Sequence, residues 1–94
     1  MSDYSVDVLL KTIGLRIRLL RQERKMSLRD LAFSIGMEPS NLSVIENGKS
    51  NPQLLTYAKI AAALGVTLKE LFDIEFDYQS FAVYPGGYTP QKHK

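Results

Sequence analysis

Apolar residues recur every three or four positions through the first stretch of the chain. Val6, Leu9, Leu10, Ile13, Ile17 and Leu20 fall on one helical face. Gly14 sits inside this pattern and weakens the helix locally. A second apolar stripe, Leu28, Leu31, Ala32 and Ile35, begins just after Ser27. Ser27 followed three residues later by Asp30 is close to a capping-box pattern. Gly36 tolerates the left-handed backbone needed where that helix stops. A third helix is expected from Pro39 to Asn47. Pro39 suits the first helical position, where a missing N–H costs nothing. Leu42 and Ile45 face inward, Met37 packs at the turn, and Gly48 ends the helix. For the fourth helix the pattern predicts Asn51 as cap and Pro52 at the first position. Its apolar face is Leu54, Ala58, Ala61 and Leu64, flanked by Leu55 and Ile60, and Gly65 stops it. Thr67 and Glu70 form another capping box, for a short fifth helix through Leu71 and Phe72. The expected architecture is all-α, with residues 1–73 forming one five-helix unit.

The pattern changes at Ile74. Ile74, Phe76 and Tyr78 alternate with Glu75, Asp77 and Gln79, the two-residue period of a half-buried strand. Phe81, Val83 and Tyr84 continue the β-favouring composition, and Pro85-Gly86-Gly87 breaks it. Residues 74–94 therefore read as an extension, a strand to about residue 84 and then a frayed tail containing His93, the sole histidine. A lone strand leaves backbone groups unpaired. Pairing with the same strand of a second subunit is one solution, with Phe72, Ile74, Phe76, Tyr78 and Phe81 at the contact. An extended arm covering its own helical core is the other.

Ninety-four residues suffice for one modest core. Cysteine is absent, which excludes disulfides, thiolate metal sites and a cysteine nucleophile. No metal-ligand spacing, nucleophile–base set or phosphate-cradling glycine loop is present, so no enzyme and no cofactor are expected. Met1 to Asp7 carries two acids and no basic segment, unlike a signal peptide, and no apolar run is long enough to span a membrane. A cytoplasmic protein is expected. Net charge is only +2, but Lys11, Arg16, Arg18, Arg21, Arg24, Lys25 and Arg29 are opposed within their span by Glu23 alone. Four acids follow between Glu70 and Asp77 without a base. That asymmetry fits a polyanionic partner at one end, or simply a solvated helix face.

Two short helices joined by a glycine-containing turn, Gly36 at its centre, read as a helix-turn-helix. The second helix of such a unit enters the DNA major groove by its N-terminal end. Ser40 and Asn41 are short polar groups at that end, and Asn pairs bidentately with adenine. Asn47-Gly48-Lys49-Ser50-Asn51 offers small polar groups, amides and a cation to a phosphate.

The stretches "LRIRLLRQERKMSLRDLAFSIGM", "LSVIENGKSNP" and "AKIAAALGVTLKELF" resemble the Xre/Cro-repressor family of lambda-repressor-like DNA-binding domains. The likeness runs from Ile13 to Phe72. It implies a homodimer on two-fold-related operator DNA, acting as a repressor or other regulator of transcription. It also implies a partly buried salt bridge between Arg21 and Glu46, tying the first helix to the end of the third. Lys49 is the leading phosphate candidate, because family position and loop chemistry agree, and Arg29 comes second. Arg16, Arg18, Arg24 and Lys25 read as solvated charges. Gln53 and Tyr57 are further candidates for the backbone.

The chain departs from the family in two places. Leu28 stands where most relatives place Gln and cannot make that hydrogen bond, although its amide can face a phosphate. Glu38 and Pro39 open the third helix where Ser, Thr or Gln is common. Glu38 either accepts from a cytosine amine, repels phosphates, or is an uncapped residue facing solvent. Val44 touches a thymine methyl or packs at the helix edge, with Ser43 beside it. A protein-interaction module on the same fold, such as a toxin's antitoxin or a coactivator-like bridge, is the alternative function class.

Overall fold

A computed structural model describes residues 3–82, with side chains from Ser5 onward. Five α-helices follow in order: α1 (Asp3–Glu23), α2 (Leu28–Ser34), α3 (Pro39–Glu46), α4 (Leu54–Leu64) and α5 (Leu68–Leu71). They enclose one core. Ile13, Ile17 and Leu20 of α1 meet Leu31 and Ala32 of α2, Leu42 and Ile45 of α3, Tyr57, Ile60, Ala61 and Leu64 of α4, and Leu71 of α5.

Local chemistry explains most boundaries. Both predicted capping boxes form. The Asp30 amide donates to Ser27 Oγ at 2.9 Å, and the Ser27 amide donates to the Asp30 carboxylate at 3.0 Å. Thr67 and Glu70 repeat the arrangement at 3.0 and 3.1 Å. These bonds favour the charged carboxylates, so Asp30 and Glu70 both titrate below their ordinary range. Gly36 and Gly48 take positive φ, 69° and 70°, where the chain leaves α2 and α3. Lys25 does the same after α1, at φ 57°, without glycine's freedom. Its strain is offset by two closing bonds, Lys25 N–H to Gln22 O at 2.9 Å and Met26 N–H to Arg21 O at 3.1 Å.

Gly14 does more than weaken α1. It is buried, and a Cβ there would collide with the carbonyls of Ile45 and Glu46. The missing side chain lets α1 lie directly against the end of α3.

The fourth helix departs from expectation. Gln53, extended at ψ 155°, is its N-cap, so Asn51 does not cap it and Pro52 precedes it. The buried stripe is Tyr57, Ile60, Ala61 and Leu64. Ile60 is core rather than flank, while Leu54 and Leu55, on the first turn, lie beyond the core at 65% and 61% exposure.

The strand expected from Ile74 is not formed within the described residues. Ile74 packs on the core of its own chain. Residues Tyr78–Phe81 form a 3₁₀ turn in which the Gln79 amide donates to Asp77 Oδ1 at 3.2 Å. The turn brings the rings of Tyr78 and Phe81 to 5.1 and 5.4 Å from Phe76. Glu75, Phe76, Asp77 and Ser80 line a shallow cavity with Ser5 and Val8 of α1. The two-residue alternation thus becomes an aromatic cluster folded beside the start of α1, with Phe76 at its centre. The Val83, Tyr84, Pro85-Gly86-Gly87 and His93 readings lie outside the described residues.

Candidate nucleic-acid interface

The outward face of α3 is built from its own register. Leu42, Ile45 and Glu46 point inward. Ser40, Asn41 and Val44, at positions i, i+1 and i+4, are exposed together. Glu38 is the N-cap, exposed, and makes no side-chain capping bond. Its carboxylate is thus free at the tip of the helix, as each of the three readings of Glu38 requires. Pro39 occupies the first helical position, as expected.

The loop after α3 joins the same surface. Asn41 and Val44 from α3, Ser50 and Asn51 from the loop, and Thr56 from α4 line one open depression of about 270 Å³. Lys49 is exposed, and its amide donates to Val44 O at 3.0 Å, which pins the loop to the end of α3. Arg29 is exposed on α2. The structure therefore gathers Asn41, Val44, Ser50 and Asn51 around one hollow, with Ser40 on the same face of α3.

Asn47 and Ser43 are engaged within the protein. Asn47 Oδ1 accepts from Arg18 at 2.7 Å, and Asn47 Nδ2 donates to Ser43 O at 2.9 Å. Both ends of the Asn47 amide are thus occupied, and Ser43 is half-buried.

The base of the interface is an ion cluster. Glu46 is 4% exposed. Arg21 Nε and Nη2 donate to its two oxygens at 2.7 and 3.0 Å, a planar fork on a carboxylate. Arg21 Nη1 donates to Met26 O at 2.9 Å, at the turn before α2. The hydrogen bond to Glu46 raises the Arg21 pKa further, so its charge is fixed. Arg18 approaches Glu46 Oε1 at 3.4 Å.

Two arginines read as solvated are therefore structural. Arg18 spans Glu46 and Asn47, and Arg16 donates twice to Glu70 O, at 3.2 and 2.8 Å, closing the end of α5. Arg18 and Arg21 are three residues apart on one helix face, and that spacing is the signal for a shared acid. Tyr57 serves the core. It is 7% exposed, its ring set edge-on to Phe72 at 5.2 Å, and burial pushes its hydroxyl pKa up. Gln53 remains exposed at the start of α4. Leu28 packs half-buried against the core, which accounts for an apolar residue there.

A reading helix with an exposed polar first turn, held by a preceding helix and followed by a cationic loop, defines a DNA-binding helix-turn-helix domain. The chain matches the helix-turn-helix family HTH_3 over residues 17–71. It is 44% identical over 64 residues to control protein C.MunI from Mycoplasma sp, covering 66% of this chain and 86% of that protein. It is 39% identical over 62 residues to the transcriptional regulator DdrOP3 of Deinococcus deserti, where the shared part is 65% of this chain and 48% of that protein. The chain thus spans about half the length of DdrOP3. The crystal structure of the restriction-modification controller protein C.AhdI from Aeromonas hydrophila superposes with a TM-score of 0.65 at 36% identity, covering 67% of this chain and 96% of that one. The chain belongs to the helix-turn-helix family of Xre-type DNA-binding domains, shared by these transcription regulators and control proteins.

Proposed function

We propose that this protein represses transcription by binding operator DNA as a homodimer, with the N-terminal end of α3 in the major groove. The observation that carries this reading is the shared surface of Asn41, Val44, Ser50 and Asn51, with Ser40 exposed on the same helix and Lys49 exposed in the loop that carries Ser50. Asn41 and Ser40 address base edges, and Val44 contacts a thymine methyl. Lys49, Ser50, Asn51 and Arg29 hold phosphates. Glu38, uncapped and exposed, discriminates by accepting from a cytosine amine or by repelling misplaced phosphates. Among the described residues no helix is long and apolar enough to cross a membrane. A cytoplasmic location fits a regulator that must reach DNA.

Replacing Lys49 tests the phosphate assignment. Lys49→Ala should weaken binding to operator and random DNA alike. It should also flatten the slope of log affinity against log salt by about 0.9 for each phosphate no longer neutralised. Anisotropy titrations at several salt concentrations read this, and an unchanged slope contradicts the role.

One α3 reads only a few base pairs, and two copies engage half-sites about 34 Å apart. The full chain should therefore sediment as a dimer at micromolar concentration, with Phe72, Ile74, Phe76, Tyr78 and Phe81 contributing to the contact. A chain ending at Phe72 should be a monomer with helical circular dichroism intact. A full-length monomer contradicts the homodimer. A truncated dimer contradicts the contribution of the tail, whose rings would then serve only to cover their own chain.

A further inference from the structure

Lys11, Gly14, Arg18 and Arg21 follow one another at helical spacings along α1, and each meets the end of α3 or the loop beyond it. Gly14 lies under the carbonyls of Ile45 and Glu46. Arg21 holds Glu46. Gly48 takes φ 70° with its Cα packed on Lys11, and a Cβ there would lie 2.5 Å from Lys11 backbone atoms. Arg18 completes the stripe, with Nε 3.4 Å from Glu46 Oε1 and Nη2 2.7 Å from Asn47 Oδ1.

Arg18 differs from Arg21 in what it grips. Arg21 is 11% exposed at its side chain and binds a buried carboxylate and the turn before α2. Arg18 is 37% exposed and reaches the first residue after α3. Asn47 in turn donates to Ser43 O, so its amide plane is held from both sides. The residues it leads into are Gly48, Lys49, Ser50 and Asn51. The amides of Gly48 and Lys49 donate back to Ile45 O and Val44 O, both at 3.0 Å. A guanidinium presents donors in a rigid fork, so two acceptors met by one fork are fixed relative to each other.

We infer that Arg18 is a positioning residue of the DNA interface: anchored on Glu46, it holds Asn47 and so fixes the loop that presents Lys49. The inference rests on the proposed phosphate role of Lys49. In this role Arg18 acts through Asn47 rather than by a DNA contact of its own. Its worth to binding lies in ordering the loop before DNA arrives, which removes an ordering cost from association.

The test uses the full chain and the variants Arg18→Met, Arg18→Lys and Asn47→Ala, each first checked for its helical melting transition. Amide hydrogen exchange in the free protein should speed up several-fold at Gly48 and Lys49 in all three variants. Exchange at Ile60 and Leu64 in the core should stay at the wild-type rate. Arg18→Lys is informative because it keeps a charge beside Glu46 and loses the fork. On a DNA duplex selected with the wild-type protein, Lys49→Ala should cost less affinity in the Arg18→Met background than in the wild type.

Wild-type loop exchange in Arg18→Met, or its full restoration in Arg18→Lys, overturns the inference. Losses from Arg18→Met and Lys49→Ala that simply multiply overturn it too, because Arg18 would then act independently of the loop. If Lys49→Ala alone leaves affinity and salt slope unchanged, the phosphate reading of Lys49 fails instead. The exchange rates then decide by themselves whether Arg18 orders the loop.

Discussion

Arg21→Met is expected to come close to unfolding the protein. Glu46 has only 2% of its side chain exposed, and Arg21 supplies its two shorter hydrogen bonds. Without Arg21 the carboxylate keeps Arg18 at 3.4 Å on one oxygen, and Met26 O loses a donor. Breaking a buried pair by removing one partner costs about 3–5 kcal/mol, because the remaining charge is left in a poor solvent. A domain of this length has only about 5–14 kcal/mol in total. The melting temperature should drop by roughly 12–40 °C, at about 4–8 °C per kcal/mol. Thermal denaturation followed by circular dichroism measures it.

The double variant Arg21→Met/Glu46→Leu should recover most of that loss, since an apolar pair of similar volume often replaces a buried ion pair at little cost. A single variant within about 1 kcal/mol of wild type would show that water reaches Glu46 and that the pair is a surface contact. The pair's second role is positional. It joins α1 to the last residue of α3, and the recovered double variant should fold well yet bind DNA less tightly than wild type.

The features legible in the sequence were those whose cause lies within a few residues. Ser27 with Asp30 and Thr67 with Glu70 cap their helices as read, because donor and acceptor are three positions apart. Gly36 and Gly48 turn the chain where expected, because only the backbone of the turn decides their φ. Pro39 opens α3 for the same kind of local reason. Arg21 with Glu46 came from likeness to a family, since nothing local links positions 25 residues apart.

What was not legible depends on long-range packing. Gly14 read as a weak point in a helix, whereas its lack of a side chain is a docking surface for α3. Arg16 and Arg18 read as solvated charges, because their acceptors lie 54 and 28 residues away. Asn51 and Pro52 carried a plausible capping signal, and the helix begins two residues later, at Leu54. Lys25 adopts a positive φ with no glycine to announce it. The alternation from Ile74 to Tyr78 suits a strand, whereas the chain turns at Tyr78–Phe81 and sets the rings of Tyr78 and Phe81 against Phe76, a packing that the two-residue period does not announce. On α3, the exposure of Ser40 and Asn41 was legible from their place at the start of the helix, while Val44 was left between an outward contact and packing at the helix edge and is exposed. The engagement of Asn47 by Arg18 was not legible, because it needed the position of α1.

Asn41→Ala tests the central claim, that the exposed first turn of α3 reads bases. Asn41 is exposed beside Ser40 and faces the hollow shared with Ser50 and Asn51, and nothing within the protein occupies its side chain among the hydrogen bonds of the described residues. Its amide is free to pair with adenine through a donor and an acceptor, a contact worth about 1–3 kcal/mol of discrimination. The measurement is a pair of binding titrations at one salt concentration, on a duplex selected from a random pool with the wild-type protein and on unselected DNA. The account predicts that the variant loses about 5- to 150-fold on the selected duplex and almost nothing on unselected DNA. Equal losses on both would make Asn41 a backbone contact, and no loss on either would remove α3 from the groove.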